Sequence, residues 1–405
     1  MTDEMHSPLT GLRVLELARI LAGPWIGQTL ADLGAEVIKV EAPEGDDTRR
    51  WGPPFVHDLA GESLDSAYFH SCNRGKRSLV ADFRTPEGQQ VVRRLAQVSD
   101  VLVENFKVGG LAKYGLDYES LKALNPRLVY CSVTGFGQTG PYSHRAGYDF
   151  IIQGMSGVMS VTGEQDGPPQ KTGVAVADIF TGTYGTIAIL AALNQRERTG
   201  LGQHLDLALL DSMVGVMANQ SLNYLVSGLP PHRMGNAHPN IVPYQTFAVR
   251  DGYVIIAVGN DAQFARLCEF LGLASLATDP RYATNAARVG HRAQLIETLT
   301  GPVARYERSE LLRAMEERGI PAGPINTMAD VFADPQVVHR QMRVDLNATS
   351  AGGPTVSVPS IRTPIQFSGA QLSLQRAAPR LGEHTEEILE ELERTHLTSR
   401  STNST

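Results

Sequence analysis

Short apolar runs alternate with amphipathic stretches through the first third of the chain. Residues 12–17 (Leu-Arg-Val-Leu-Glu-Leu) read as a strand, and residues 35–40, β-branched and apolar, as the next. Between them Pro24 can open a helix and Gly34 can close it. The pattern then repeats. Residues 78–83 read as a strand, and Thr85-Pro86 starts a helix whose apolar face is Val91, Val92, Leu95 and Val98. Residues 101–103 and 128–133 supply two further strands. Strand and helix in alternation predict an α/β domain with a mostly parallel sheet.

Farther along, residues 178–198 predict a long helix with Ile187, Leu190 and Leu193 on one face and Gly200 at its end. Residues 205–217 predict a second apolar helix. From about 223 to 250 the chain is loop-like, rich in Pro, Gly, His and Asn. Beyond lies a smaller α/β unit, with a strand at 253–258 and helices at 262–271 and 309–318. Gly319-Ile320-Pro321-Ala322-Gly323-Pro324 is a breaker cluster, expected to return the chain to the first domain.

The 405-residue length suits two or three domains and a sizeable core without metals or disulfides. With 36 Lys and Arg against 43 Asp and Glu, the net charge is -7, which carries no electrostatic footprint for nucleic acid or anionic membrane. Basic patches must then be local, which suits a small anionic ligand. Cys72, Cys131 and Cys268 lack CxxC spacing, so neither a disulfide framework nor a structural zinc site is expected. The first residues are unlike a signal peptide, and the most apolar window, 186–193, is too short to span a bilayer. The expected compartment is the cytoplasm.

Gly135-Phe136-Gly137-Gln138-Thr139-Gly140 spells GxGxxG after a strand, but a dinucleotide site needs a helix N-terminus directly behind it. Residues 141–145 have no helical periodicity, so a tight loop at the strand's carboxyl edge is the better reading. Asp178 stands at the start of the long helix. Position alone favours an N-cap there; the functional reading is a carboxylate nucleophile that the helix dipole keeps ionised. Arg74, Lys76, Arg77, Arg84 and Lys113 are each solvated surface by default, and together a candidate set for a phosphorylated ligand. The histidines show no metal-binding spacing, and no metal site is expected.

Taken in order, several motifs resemble the class III CoA-transferases over about residues 8–392. They are Gly11-Leu12-Arg13-Val14-Leu15-Glu16-Leu17 with Ala22-Gly23-Pro24, the stretch 33–41, Val103-Glu104-Asn105-Phe106, Gly147-Tyr148-Asp149 and Leu381-Gly382-Glu383-His384-Thr385. That family includes formyl-CoA transferase, carnitine CoA-transferase and α-methylacyl-CoA racemase. The resemblance implies an α/β fold with a Rossmann-like large CoA-binding domain of 1–222 and 325–405, a small α/β domain of 223–324, and an interlocked homodimer. The family's nucleophilic aspartate falls on Asp178. Its CoA-contacting positions fall on Leu21, Ala22, Ala42, Ala81 to Arg84, Asn105, Phe106, Lys107, Lys113, Ala146, Gly147, Tyr148 and Asp149. Leu21 stands where formyl-CoA transferase has Gln, which argues against formyl or oxalyl transfer. Ala42 stands where it has Arg, which leaves one CoA phosphate contact to another residue. Racemase members have His where this chain has Tyr148. A phenol, with a reference pKa of about 10, is a poor base for a Cα proton and better suited to donate to an oxyanion. Transfer is therefore preferred, with an acyl-CoA racemase or epimerase as the alternative.

A narrower resemblance lies in residues 235–247 (Gly-Asn-Ala-His-Pro-Asn-Ile-Val-Pro-Tyr-Gln-Thr-Phe), residues 258–264 and Gly323-Pro324-Ile325-Asn326. It points to the succinyl-CoA:glutarate (hydroxymethylglutarate) CoA-transferase branch and implies dicarboxylates as acyl partners. Arg19, Arg50, Arg233 and His238 are candidates to hold the second carboxylate, and the loop 235–240 is a candidate lid. The implied reaction runs through an aspartyl anhydride and an aspartyl-CoA thioester. CoA thioesters are substrate and product, and no permanently bound cofactor is implied.

Overall fold

The computed structural model describes residues 6–348 and 355–402. Six parallel strands form the main sheet: β1 (Arg13–Glu16), β2 (Glu36–Glu41), β3 (Arg77–Val80), β4 (Val101–Glu104), β5 (Val129–Thr134) and β6 (His204–Ala208). Their order is β3-β2-β1-β4-β5-β6. The order reverses between β1 and β4, so connections leave those two strands in opposite directions and open a crevice at their carboxyl ends.

Alternation within the strands sends side chains to two cores. Val14, Val101, Val103, Val129 and Cys131 pack with Ile26 and Leu30 of helix α1 (Ala22–Asp32). Leu15, Ile38, Leu79, Leu102 and Tyr130 pack with Val92 and Leu95 of helix α2 (Pro86–Val98) on the other face. Thr85 caps α2 by accepting from the Gly88 N–H at 3.1 Å, as the Thr-Pro pair predicts. Two more helices, α3 (Asp149–Met155) and α4 (Val176–Thr199), pack against each other.

The edge strand β3 is covered by the chain's last motif. Gly382 N–H donates to Ser78 Oγ, His384 N–H to Ser78 O, and Val80 N–H to Thr385 Oγ1. Backbone groups that a bare edge would leave open are thereby satisfied.

Several expectations from sequence do not hold, among them the loop over 223–250, within which Tyr244–Val249 form a strand. Residues 205–217 do not form one helix. The run Leu-Asp-Leu-Ala closes the sheet as β6, and the helix begins only at Leu209; a short apolar run does not distinguish the two. Helix α4, 24 residues long, is long and apolar enough to cross a bilayer by length and composition, unlike the short window read from sequence. Its Ala177, Ile189, Ala192 and Leu193 lie instead in the core with α1.

The chain divides into two compact units. One comprises the described parts of Met1–Val158, Thr172–Leu222 and Gln336–Thr405; the other comprises Met159–Lys171 and Asn223–Pro335. The second unit has an antiparallel sheet in which Gly252–Ala257 is flanked by Tyr244–Val249 and Ala322–Pro324. Its core gathers Phe247, Val254, Phe264, Leu295 and Leu311. The breaker cluster expected to return the chain is thus partly a strand of this unit, held by pairing of Ile255 with Gly323.

Candidate functional site

A cavity of about 620 Å³ opens at the carboxyl ends of β1, β2, β4 and β5, where the strand order reverses. Every catalytic or CoA-contacting residue named from sequence lines it: Leu21, Ala22, Ala81, Arg84, Asn105, Phe106, Lys107, Lys113, Ala146, Gly147, Tyr148, Asp149 and Asp178. Ala42, Asp82 and Phe83 line it as well.

The candidate phosphate set, by contrast, is split. Arg74 is buried against Asp32, Lys76 sits 2.8 Å from Glu16, and Arg77 pairs with Glu36 and Glu391. A cation taken out of water must be paired, and these three serve the framework. Only Arg84 and Lys113 of that set reach the cavity.

One wall is a strained turn. Ile20, β-branched, has φ of 72°, a conformation with a steric cost for any residue bearing a Cβ. Side chains from three segments of the chain hold it. Asn105 accepts from Arg19 N–H at 2.9 Å and donates to Arg19 O at 2.7 Å. Asp46 accepts from Ile20 N–H at 3.3 Å. Lys39, wholly buried in β2, anchors Asp46 at 3.0 Å and donates to Ala18 O at 2.8 Å. Glu104, at the end of β4, accepts from Phe106 N–H at 2.7 Å and so shapes the next loop. Burial pushes its carboxyl up to about 7, against the pull of its hydrogen bonds from Ser132 and Phe106.

The opposite wall starts at the glycine-rich loop after β5, which runs to Asp149 without a helix. Gly135 and Gly147 meet backbone to backbone: a Cβ on Gly135 would fall 2.5 Å from the Gly147 Cα. This close approach requires glycine and brings residues 146–149 to the cavity. Tyr148 stands 64% exposed. Asp149 follows, and its carboxylate is committed within the protein. Oδ1 accepts from Ala177 N–H at 2.8 Å, and Oδ2 accepts from Gln153 Nε2 at 2.7 Å.

Asp178 lies in the first turn of α4. It is not the N-cap; that position is Ala175, which offers no side-chain acceptor. Nor does the helix start keep it readily ionised. Burial first, and the Asp149 carboxylate second, push its carboxyl up to about 7.

Sequence reasoning missed Glu44, Tyr114 and Arg145 as cavity-lining residues. Arg145 rests over the Tyr142 ring, 4.4 Å from its centroid. Arg84 instead makes three hydrogen bonds to Asp82 through its own N–H, Nε and Nη2. Phe83 packs edge-on against Phe106 and Tyr114, both with centroids at 5.5 Å, giving the cavity an aromatic corner. Nothing in the spacing marks Arg145; only the Gly135–Gly147 contact places it at the rim.

Of the candidates for a second carboxylate, Arg19 lines the cavity and pairs with Asp47 at 3.3 Å. Arg50 lies outside the lining residues and also faces Asp47. Arg233 and His238 belong to the second unit. There Arg233 donates to the carbonyls of Glu164 and Gly167. The loop 235–240 is tied down within that unit: Gly235 N–H donates to Gly163 O, His238 N–H to Tyr244 O, and Arg292 to His238 O and Pro239 O.

A family model described as CoA-transferase family III matches residues 9–385. A succinate–glutarate CoA-transferase of Agrobacterium fabrum is 59% identical over 396 residues, covering 97% of this chain and 98% of that one. A succinyl-CoA:glutarate CoA-transferase of Homo sapiens is 43% identical over 386 residues, 95% of this chain and 86% of that one. Among solved structures, a CAIB/BAIF family protein from Brucella suis matches with a TM-score of 0.84 at 61% identity, covering 96% of this chain and 100% of that one.

Proposed function

Because the chain belongs to CoA-transferase family III, we propose that it moves CoA from succinyl-CoA to glutarate or a closely similar dicarboxylate, with Asp178 as the nucleophile. The observation that carries this reading is the meeting of Asp178 and Tyr148 in one cavity with the loops at the ends of β1 and β4. The substrate pair comes from the relatives named for succinyl-CoA and glutarate.

The Asp178 carboxylate attacks the succinyl thioester carbonyl, and the C–S bond breaks to give a mixed anhydride and CoA thiolate. The thiolate attacks the aspartyl carbonyl, succinate leaves, and an aspartyl-CoA thioester remains. The glutarate carboxylate attacks that thioester and releases the thiolate again. The thiolate then takes the glutaryl group from the new anhydride, which restores Asp178. Each addition builds an oxyanion, toward which the Tyr148 hydroxyl donates. Exchange of one thioester for another balances the energetics without a further cofactor. The aromatic corner of Phe83, Phe106 and Tyr114 offers adenine an apolar surface, and Lys107, Lys113 and Arg145 face the phosphates.

In the same reading the protein acts as an interlocked homodimer in the cytoplasm, with a CoA-binding domain of 1–222 and 325–405 and a small domain of 223–324, bounds that differ from the two compact units over residues 159–171 and 325–335. Exposed Phe150 and Ile151 on α3, with Phe180, Tyr184 and Ile187 on α4, support the dimer as an apolar surface for a second copy.

The test is a panel of free acids offered with succinyl-CoA, with new CoA esters detected by mass. Glutarate should be loaded faster than formate, oxalate or carnitine. Deuterium exchange at Cα of a branched acyl-CoA at catalytic rates, without acceptor, would establish an epimerase instead.

A further inference from the structure

Gln153 contributes nothing to the cavity, yet it is wholly buried and every polar group on its side chain is used. Its Nε2 donates to Asp149 Oδ2 at 2.7 Å and, at 3.4 Å, to Val174 O. Its Oε1 accepts from Thr172 N–H at 2.9 Å. The segment it holds is the approach to α4. That segment turns sharply about Ala175 (φ -74°, ψ 70°), where the Val174 carbonyl accepts from Val176 N–H, and the same carbonyl accepts from Thr172 Oγ1, both at 2.8 Å. One residue into the helix, Ala177 N–H donates to Asp149 Oδ1 at 2.8 Å, and Asp178 comes next. The first turn of α4 has no cap of its own, since Ala175 supplies no side-chain acceptor. Its position is therefore fixed from α3, through one carboxylate and the amide that orients it.

Resting on the reading of Asp178 as nucleophile, we infer that Gln153 is a positioning residue, which through Asp149 holds the start of α4 and sets where the Asp178 carboxylate stands. The hydrogen-bond polarity is fixed by partners on both sides. Asp149 must accept from Ala177 N–H, and Gln153 must accept from Thr172 N–H, so only the amide nitrogen of Gln153 is left to face Asp149. The same carboxylate supplies the negative charge beside Asp178. The titratable groups packed around Asp178 are Asp149 on α3, whose charge raises it, and Tyr68 on the helix Ala67–Asn73, which its charge raises in turn. A disturbance at Gln153 should thus change turnover and the ionisation of Asp178, while leaving the CoA-lining residues other than Asp149 in place.

Polarity exchange between the two positions tests this. Gln153→Glu keeps the acceptor for Thr172 but sets two carboxylates against each other. Asp149→Asn keeps the acceptor for Ala177 but sets two amide nitrogens against each other. The double variant Asp149→Asn/Gln153→Glu restores one donor and one acceptor. Each single variant should lose about 10- to 100-fold in kcat, and for Gln153→Glu, which lies outside the cavity, KM for succinyl-CoA should stay within about threefold of wild type. The exchange variant should regain at least about tenfold. The acid limb of kcat/KM should move up in pH for Gln153→Glu, which adds a charge, and down for Asp149→Asn, which removes one. A merely structural loss would leave that limb where it is. Hydroxylamine trapping at Asp178 in wild type separates the two ideas. If wild type transfers CoA but is not trapped there, the nucleophile reading fails. If wild type is trapped and Gln153→Glu keeps wild-type kcat and acid limb, the positioning role fails. An exchange variant that stays as inactive as the single variants, or does not fold, also overturns it.

Discussion

The Asp149 carboxylate accepts the Ala177 N–H at 2.8 Å and raises the Asp178 carboxyl, so one side chain both holds the start of α4 and weighs on the charge of Asp178. The two effects pull in different directions for catalysis. A carboxyl that ionises only near neutrality is a stronger nucleophile once ionised, but a smaller share of it is ready below pH 7. The thioester is reactive enough that the ionised share should govern the rate.

The first prediction is an acid limb. In the proposed mechanism attack requires ionised Asp178, whose carboxyl is pushed up to about 7. For free enzyme, kcat/KM with succinyl-CoA should fall about tenfold per pH unit below that value and level off above it. Initial rates from pH 5.5 to 8.5 measure it. A flat profile down to pH 5.5 contradicts the environment described for Asp178.

The second concerns stability. A carboxyl whose folded pKa is raised binds a proton in the folded state where the unfolded chain has lost it. Between about 4 and 7, stability therefore falls as pH rises, and the loss is complete above that window. Asp178→Asn removes this cost. It should melt higher than wild type at pH 8, by an amount worth at most ~4 kcal/mol, with the advantage gone near pH 4. Paired melting curves at the two pH values decide. Equal melting at pH 8 would mean that the carboxylate is solvated.

The fold was largely legible because β1, β2, β4 and β5 are short and apolar, with turn residues between them, and local pattern suffices for such strands. Residues 205–208 were not legible as a strand, because Leu-Asp-Leu-Ala runs straight into the apolar start of a helix. The cavity residues near Leu21, Asn105 and Tyr148 were found through motifs that lie at strand ends. What escaped was long-range. Asp178 looks like an N-cap until Asp149, distant in sequence, proves to do the capping. Arg74, Lys76 and Arg77 look like a basic cluster until Asp32, Glu16 and Glu36 are folded against them.

The third prediction follows from the strained turn. Asn105 clamps Arg19 through two hydrogen bonds, and the Ile20 φ of 72° depends on such support. Asn105→Ala should raise KM for succinyl-CoA about tenfold. Ile20→Gly removes a conformational cost of ~1–2 kcal/mol but adds chain entropy of ~0.5–1 kcal/mol. It should leave the melting temperature nearly unchanged while also raising KM. Wild-type KM in both variants would show that the turn does not shape the CoA site.

The fourth sets two arginines against each other. Arg84 already donates to Asp82 and approaches Glu44, whereas Arg145 meets the Tyr142 ring at the cavity rim. A guanidinium facing two carboxylates has less attraction left for a phosphate. Arg145→Ala should therefore raise KM for succinyl-CoA more than Arg84→Ala does, and should weaken the salt dependence of KM. The opposite order would mean that the Arg84–Asp82 contact breaks when CoA binds.

The fifth addresses the nucleophile itself. An amide in place of Asp178 keeps the size of the side chain but cannot form an anhydride. Asp178→Asn and Asp178→Ala should abolish transfer while CoA binding and folding persist, because the cavity wall is shaped by backbone hydrogen bonds that Asp149, Asn105 and Asp46 accept. Had Asp178 served as a cap, Asn would be nearly silent and Ala would cost only ~1 kcal/mol of stability, with activity kept in the folded fraction. With the capping acceptor supplied by Asp149, neither substitution should destabilise the start of α4. Covalent trapping completes the test. Wild type incubated with succinyl-CoA and then hydroxylamine or borohydride should be inactivated and carry its modification at Asp178, and omission of succinyl-CoA should protect it. Robust turnover by Asp178→Asn, with deamidation back to Asp excluded by mass, would require glutarate to attack succinyl-CoA directly, giving a mixed anhydride of the two acids whose glutaryl carbonyl the CoA thiolate then attacks to release succinate, and would remove Asp178 from the reaction.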